Sequence, residues 1–213
     1  GDCRRMDLRS DSFEHNAPIP ARCAFGTYDA ESHVRLSDNK SPHLAWSDAP
    51  DSTQSYVVIC TDFDAPSKAD DVNQEGRTVP YDLPRVAFHH WALVDVPASK
   101  TTLAEGEFGA GVTPRGKSGP DSAGGTRSGL NGYTEWFAGD ADMGGQYFGY
   151  DGPCPPWNDE RLHRYQFVVY ALDVPRAPVE GTFRVEQVLE AIASHVVAKA
   201  GIAGTYQINP DAK

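Results

Sequence analysis

Hydrophobic positions in this chain gather into three short blocks separated by long polar, turn-rich stretches. Tyr56-Val57-Val58-Ile59-Cys60 is an uninterrupted β-branched run, the pattern of a strand buried on both faces. Phe88-His89-His90-Trp91-Ala92-Leu93-Val94-Asp95-Val96, closed by Pro97, predicts a second strand, and Arg164-Tyr165-Gln166-Phe167-Val168-Val169-Tyr170-Ala171-Leu172 a third. Helical spacing is clear only over residues 183–200. There Val185, Val188, Leu189, Ile192 and Val196 share a face, Thr182 is placed to cap the start and Gly201 to end the helix. Shorter strands are expected near residues 23–25, 133–137 and 206–208. Residues 31–55 and 67–85 read as turns and loops. Residues 105–152 hold 14 of the 20 glycines and no sustained period, which predicts a long excursion of the kind that usually serves a function. Mostly strands with one late helix, and no regular β–α alternation, is not the order of a doubly wound sheet.

The 213 residues suggest one domain spanning 1–213, with a glycine-rich insert at about 105–150. Twenty glycines and 16 prolines are spread along the chain, which means many turns rather than disorder. A net charge of −11 argues against binding nucleic acid or anionic lipid by bulk attraction, while leaving room for a local basic pocket. No apolar run reaches the ~18 residues of a membrane helix, and residues 1–23 lack an apolar signal core; a cytoplasmic protein is expected, while a signal peptide already removed ahead of Gly1 stays open. Cys3, Cys23, Cys60 and Cys154 contain no C-x-x-C pair; neither a zinc ribbon nor disulfides are expected.

Gly111-Val112-Thr113-Pro114-Arg115-Gly116-Lys117-Ser118 matches the phosphate-loop pattern letter for letter. That loop works only between a buried strand and a helix N-terminus. Residues 104–109 make no buried strand, and Gly119-Pro120 with Gly124-Gly125 cannot start a stable helix, so the match reads as a flexible loop. Neither G-x-S-x-G nor H-E-x-x-H is present.

Each strong strand runs into conspicuous polar residues. Asp62 and Asp64 follow Cys60, on the face of Val58 and Cys60 if the chain stays extended. His90 precedes Ala92 and Val94 on the face they line, with His89 on the opposite one. His163 and Tyr165 precede Phe167 and Val169. Apolar stripes ending in carboxylate, imidazole and phenol either border a pocket or are solvated strand ends. In a pocket, a protonated His and a Tyr hydroxyl could donate to phosphate-like oxygens, with an Asp holding the imidazole charged. No nucleophile–base spacing is recognisable, and two His with two Asp at these separations are weak grounds for a metal. Gly152-Pro153-Cys154-Pro155-Pro156 stiffens the approach to His163, and Ala65-Pro66 is a candidate cis bond.

Taken in order, Asp62-Phe63-Asp64-Ala65-Pro66-Ser67, His89-His90-Trp91, and Gly152-Pro153-Cys154-Pro155-Pro156 followed by His163-Arg164-Tyr165 resemble the phosphatidylethanolamine-binding protein family. This family is also called the Raf-kinase-inhibitor-protein family, and the match is closest to its bacterial YbhB/YbcL-like branch. With Ser41-Pro42-His43-Leu44-Ala45-Trp46, the Ala171-Leu172-Asp173 strand end and Gly204-Thr205-Tyr206, the resemblance spans roughly residues 13–210. It implies a mostly β protein: a β-sandwich with a large central sheet, a smaller sheet and peripheral helices. It also implies a small anion pocket lined by Asp62, His90, His163 and Tyr165, with Gly152 donating its backbone N–H and Asp64, Pro66 and Arg164 bracing it.

The resemblance further implies non-catalytic binding of a phosphate-like anion or phosphorylated head group, without cofactor or metal, and regulation of a kinase or other signalling protein. A protein partner and a homodimer stay open, as does a hydrolase or phosphotransferase using the same pocket or the 111–118 loop. Two departures stand out. Phe63 replaces the proline many relatives carry between the aspartates, and residues 105–150 exceed the short bacterial connection. The aromatic residues of that insert, Tyr133, Trp136, Phe137, Tyr147, Phe148 and Tyr150, either cover the pocket mouth or, the preferred reading, pack a satellite cluster.

Overall fold

A computed structural model describes residues 4–213, so Cys3 lies outside the described residues. Eleven strands form in chain order: β1 Arg4–Arg5, β2 Asp7–Arg9, β3 Gly26–Asp29, β4 His33–Leu36, β5 Leu44–Ser47, β6 Ser55–Pro66, β7 Arg85–Pro97, β8 Thr102–Leu103, β9 Arg127–Ser128, β10 His163–Leu172 and β11 Val196–Tyr206. Two helices interrupt them: α1 Tyr133–Trp136 and α2 Val185–Ile192. The large sheet runs β1-β11-β10-β6-β7-β9, with β2-β5-β8 as the smaller sheet and β3-β4 as a separate hairpin. The expected sandwich with peripheral helices is the observed architecture.

The central strands are hydrophobic without interruption because both faces are buried. Val58, Cys60, Trp91, Leu93, Phe167 and Val169 pack toward Leu44 and Trp46 of the smaller sheet. Val57, Ile59, Ala92, Val94 and Leu172 face Phe183 and the Val185, Val188 and Ile192 side of α2. Fully burying each such side chain contributes ~1.5–3 kcal/mol, so these two layers dominate the stability of the fold.

Several local readings from the sequence are corrected by the structure. Helix α2 stops at Ile192, and Arg184 rather than Thr182 caps it, its N–H donating to the Gln187 side chain (2.9 Å). Residues 196–206 instead pair antiparallel with β10, with Gly201 in mid-strand opposite Val168. Hydrogen bonding along a ten-residue neighbour outweighs a helical period carried by Val196 alone. Residues 133–136 form a helical turn, not a strand, and residues 21–23 form a 3-10 turn before β3. No strand is formed at 207–208, since β11 ends at Tyr206. Among the described residues Gly119–Pro120 is the cis bond, not Ala65–Pro66, and Cys23, Cys60 and Cys154 are free. No helix among them is long and apolar enough to cross a membrane.

The 111–118 segment has neither flank of a phosphate loop: the strand before it is the two-residue β8, and a 3-10 turn at Ala123–Gly125 follows. Lys117 is turned inward to the Tyr150 carbonyl and Asp151.

Candidate functional site

Two bulges shape the end of the β6–β7 pair. Cys60 faces Trp91 and Thr61 faces His89, so His90 is an extra residue in β7. A bulge of this kind re-aims a side chain. His90 therefore leaves the face of Ala92 and Val94, where strict alternation puts it, and joins Asp62 and Tyr165 on the opposite one. His89, which strict alternation puts on the face away from α2, is correspondingly moved to the helix side, between Thr61 (2.8 Å) and Glu186 of α2 (3.1 Å). The second irregularity, between Asp62 and Ala65, turns Asp64 out of the cavity and brings Ala65 into it.

The result is a cavity of about 280 Å³. Asp62, His90, His163 and Tyr165 lie on it together, each no more than 3% exposed. Its walls are largely apolar and aromatic, made by Phe25, Phe88, Tyr133, Trp136 and Phe137 together with Pro66, Cys154, Pro155 and Pro156, with Asn73 as a further polar group. The insert thus takes both expected roles. Tyr133, Trp136 and Phe137 wall the cavity, while Tyr133 also stacks on Phe25 (4.5 Å between centroids) in a satellite cluster with Tyr147. Tyr150 belongs instead to the main core.

Polar groups on the cavity differ sharply in what they have left to offer. His163 has both ring nitrogens engaged, Nδ1 with Asp62 Oδ2 and Nε2 with Asp159 Oδ2, each at 2.7 Å. Burial disfavours its charged ring, but hydrogen bonds and charge from Asp159 and Asp62 outweigh that and raise its pKa to about 9. Asp159 is also gripped by Arg85 through Nη1 (2.6 Å) and Nη2 (3.0 Å), and Arg85 donates further to the carbonyls of Asp64, Pro80 and Leu83. This alternation of carboxylate and cation is internally satisfied, so His163 is a strut rather than the donor to a ligand that the sequence suggested.

His90 is different. Its Nδ1 lies 2.8 Å from the Asp151 carbonyl, which can only accept, so Nδ1 carries the hydrogen. Burial pushes its pKa below the ordinary imidazole value, against the charges of Asp62 and Asp151. Neither His90 Nε2 nor the Tyr165 hydroxyl has a partner among the described residues. Ring contacts of 5.2 Å to Tyr165 and 5.7 Å to Tyr133 fix the plane of the imidazole.

The remaining expected residues sit around this floor. Gly152 does not present its N–H to the cavity; it donates to Asn39 Oδ1 (2.7 Å), and its carbonyl accepts from Tyr133. Glycine is needed there because an added Cβ would run into the Cys23 carbonyl. Asp64 accepts from the Arg164 N–H (2.9 Å) and pairs with Arg161 (3.3 Å). The Arg164 side chain turns away to Asn16, and Pro66 lines the cavity directly. Sequence reasoning missed Asp159, Arg85, Arg161 and Asp151. Asp159, four residues ahead of His163, was the one with a readable signal.

Fold and site together describe a β-sandwich protein with a small-ligand cavity at one end of its central sheet, and comparison with known proteins agrees. Residues 9–207 match the sequence model of the family described as phosphatidylethanolamine-binding protein, and the chain belongs to that family. A UPF0098 protein of Methanothermobacter thermautotrophicus is 32% identical over 202 residues, spanning 95% of this chain and 99% of its own. UPF0098 protein YbhB of Escherichia coli is 31% identical, spanning 94% and 99%. The crystal structure of a phosphatidylethanolamine-binding protein homologue from Chlamydia trachomatis superimposes with a TM-score of 0.62 at 28% identity, spanning 96% of this chain and 98% of that one. YbcL of E. coli shares the fold, with a TM-score of 0.67 at 24% identity over 95% and 98%.

Proposed function

We propose that this protein binds a phosphate-like anion or phosphorylated head group in the 280 Å³ cavity without transforming it. The observation that carries this reading is that His90 and Tyr165, both buried residues with rings 5.2 Å apart, line one cavity and leave His90 Nε2 and the Tyr165 hydroxyl without a protein partner among the described residues, in a protein of this family. Most polar groups of buried residues are tied up within the protein, so two left open onto one cavity are the groups a ligand would meet. Tyr165 would donate to a phosphoryl oxygen, and His90 would share a proton with another. Against turnover stands the absence of an activated nucleophile: the one lining thiol, Cys154, is pushed up to about 12 by burial and stays protonated. Regulation of a kinase or other signalling partner, which the resemblance implies, would be an effect of occupancy.

His90 holds its proton poorly in the empty cavity, so anion affinity should rise as pH falls through the range below ~6.5. Titration calorimetry with inorganic phosphate and phosphorylethanolamine at pH 5.5 and 7.5 tests this. Tighter binding at pH 5.5, weakened by ~1.5–3 kcal/mol in His90→Ala, is expected for loss of a charge-assisted hydrogen bond. Equal affinity in wild type and variant at both pH values would sink the role given to His90.

A further inference from the structure

The glycine-rich insert delivers two side chains, Lys117 and Asn131, into a buried polar cluster next to His90. Asp151, 1% exposed, receives Asn39 Nδ2 on Oδ1 and Asn131 Nδ2 on Oδ2, each at 2.8 Å, and Lys117 Nζ lies 3.3 Å from Oδ1. Lys117 also donates to the Tyr150 carbonyl, and Asn131 to the Gly149 carbonyl at 3.0 Å. Gly152 N–H closes the set on Asn39. Four consecutive residues, 149–152, are thus clamped by side chains from three distant segments. Besides the Tyr133 hydroxyl on the Gly152 carbonyl, their link to the cavity is reciprocal: Asp151 N–H donates to the His90 carbonyl (3.2 Å), and the Asp151 carbonyl accepts from His90 Nδ1.

We propose that Lys117 and Asp151 are positioning residues that lock His90 in its Nδ1–H form, so that the cavity meets its ligand with a bare Nε2 beside the Asp62 carboxylate. This rests on the phosphoryl-binding reading only for its consequence: the ligand enters with one proton, taken from solvent and held between Nε2 and a phosphoryl oxygen. Asp62 and neutral His90 are both acceptors, the donors facing the cavity are the Tyr165 hydroxyl with Asn73 and the Cys154 thiol on the wall, and the neighbouring cations His163 and Arg85 have already given their hydrogens to carboxylates and carbonyls. The charged groups facing His90 are Asp62 from β6, His163 from β10 and Asp151 from the clamped loop. Tyr165 of β10 and Tyr133 of α1 complete its surroundings, both neutral because burial raises their pKa values. The letter match to a phosphate loop acquires a different meaning, because its lysine orients the residue that meets the anion instead of holding the anion itself.

Two measurements on the whole chain separate this inference from the binding reading. Long-range proton–nitrogen correlation on the ligand-free, nitrogen-15-labelled protein at pH 7.5 reports the His90 tautomer. Calorimetry with sulfate, which does not titrate in this range, in buffers of different ionisation enthalpy counts the protons taken up by the protein on binding, and inorganic phosphate serves as a second probe. The expected result is Nδ1–H in wild type with about one proton taken up per bound sulfate. Lys117→Met should show both tautomers and bind phosphate roughly fivefold to tenfold more weakly, the equivalent of one net hydrogen bond, with Lys117→Arg restoring most of the loss. If Lys117→Met alone fails to fold, the charge-balanced pair Lys117→Met with Asp151→Asn takes its place. An Nε2–H tautomer in wild type, or an unchanged tautomer in the folded variants, overturns the inference and leaves the binding reading intact. Failure of wild type to bind either anion between pH 5 and 8 overturns the binding reading, while the tautomer result still decides the positioning role.

Discussion

His163 and His90 sit on one cavity wall and do opposite things. His163 is a cation between two carboxylates, with a pKa raised to about 9 and no donor to spare. His90 is a neutral ring with one nitrogen tied to a carbonyl and the other open. Residue type and burial are the same; what differs is the count of partners. The satisfied histidine belongs to the framework, and the half-satisfied one is available for chemistry. A protein can therefore hold a reactive imidazole still only by building a rigid, charge-balanced scaffold beside it.

The largest test of this contrast attacks the scaffold. Asp159→Ala should leave Arg85 as a buried cation without its carboxylate and His163 with Asp62 alone, and lose ~3–5 kcal/mol of stability in urea unfolding. A loss below about 1 kcal/mol would place the network among weak surface pairs. The pH dependence comes next. The folded pKa of His163 lies above the unfolded value of ~6.5, so its contribution is complete below that pH and is lost as pH rises through about 9. Wild type minus His163→Gln should shrink by roughly 3 kcal/mol between pH 6 and 9.5; a flat difference would mean that the imidazolium is no strut.

Turning to the open side, Tyr165→Phe should cost about 0.5–1.5 kcal/mol in phosphate affinity and nothing in stability, because its hydroxyl has no protein partner to lose. A drop in melting temperature would expose a partner in the free protein. Smallest of all, Arg164→Ala should stay within about 0.5 kcal/mol for both quantities, since its bracing bond is made by the backbone N–H that alanine keeps.

The sequence made the three long strands legible because burial on both faces leaves an unbroken apolar run, the strongest local signal a strand can give. It misread β11 because Ala198, Ala200 and Ala203 are small and fit helix as well as strand; only pairing with β10 decides. At the site, Asp62, His163 and Tyr165 follow plain alternation, whereas His90 reaches the cavity through a bulge that no periodicity encodes. Arg85 and Asp159 meet across 74 positions of chain and two loops, and nothing in their own neighbourhoods announces the contact. Gly152 was assigned to the ligand when the need it meets is space beside Cys23.

The extra residue in β7 can also be seen as arithmetic on the strand. A pleated chain addresses its two sides by odd and even positions, and one inserted residue exchanges those addresses from that point on. Because His89 and His90 are adjacent, an imidazole is presented to each side of the sheet, one to α2 and one to the cavity. Removing His90 alone would restore regular pairing, with His89 directly before Trp91 opposite Thr61 and Cys60, so residues 85–89 would keep their sides and the cavity would lose its imidazole. Identity at position 90 and the length of the strand leading to it are one constraint, so an aligned histidine in a relative is equivalent to this one only if the insertion is aligned too.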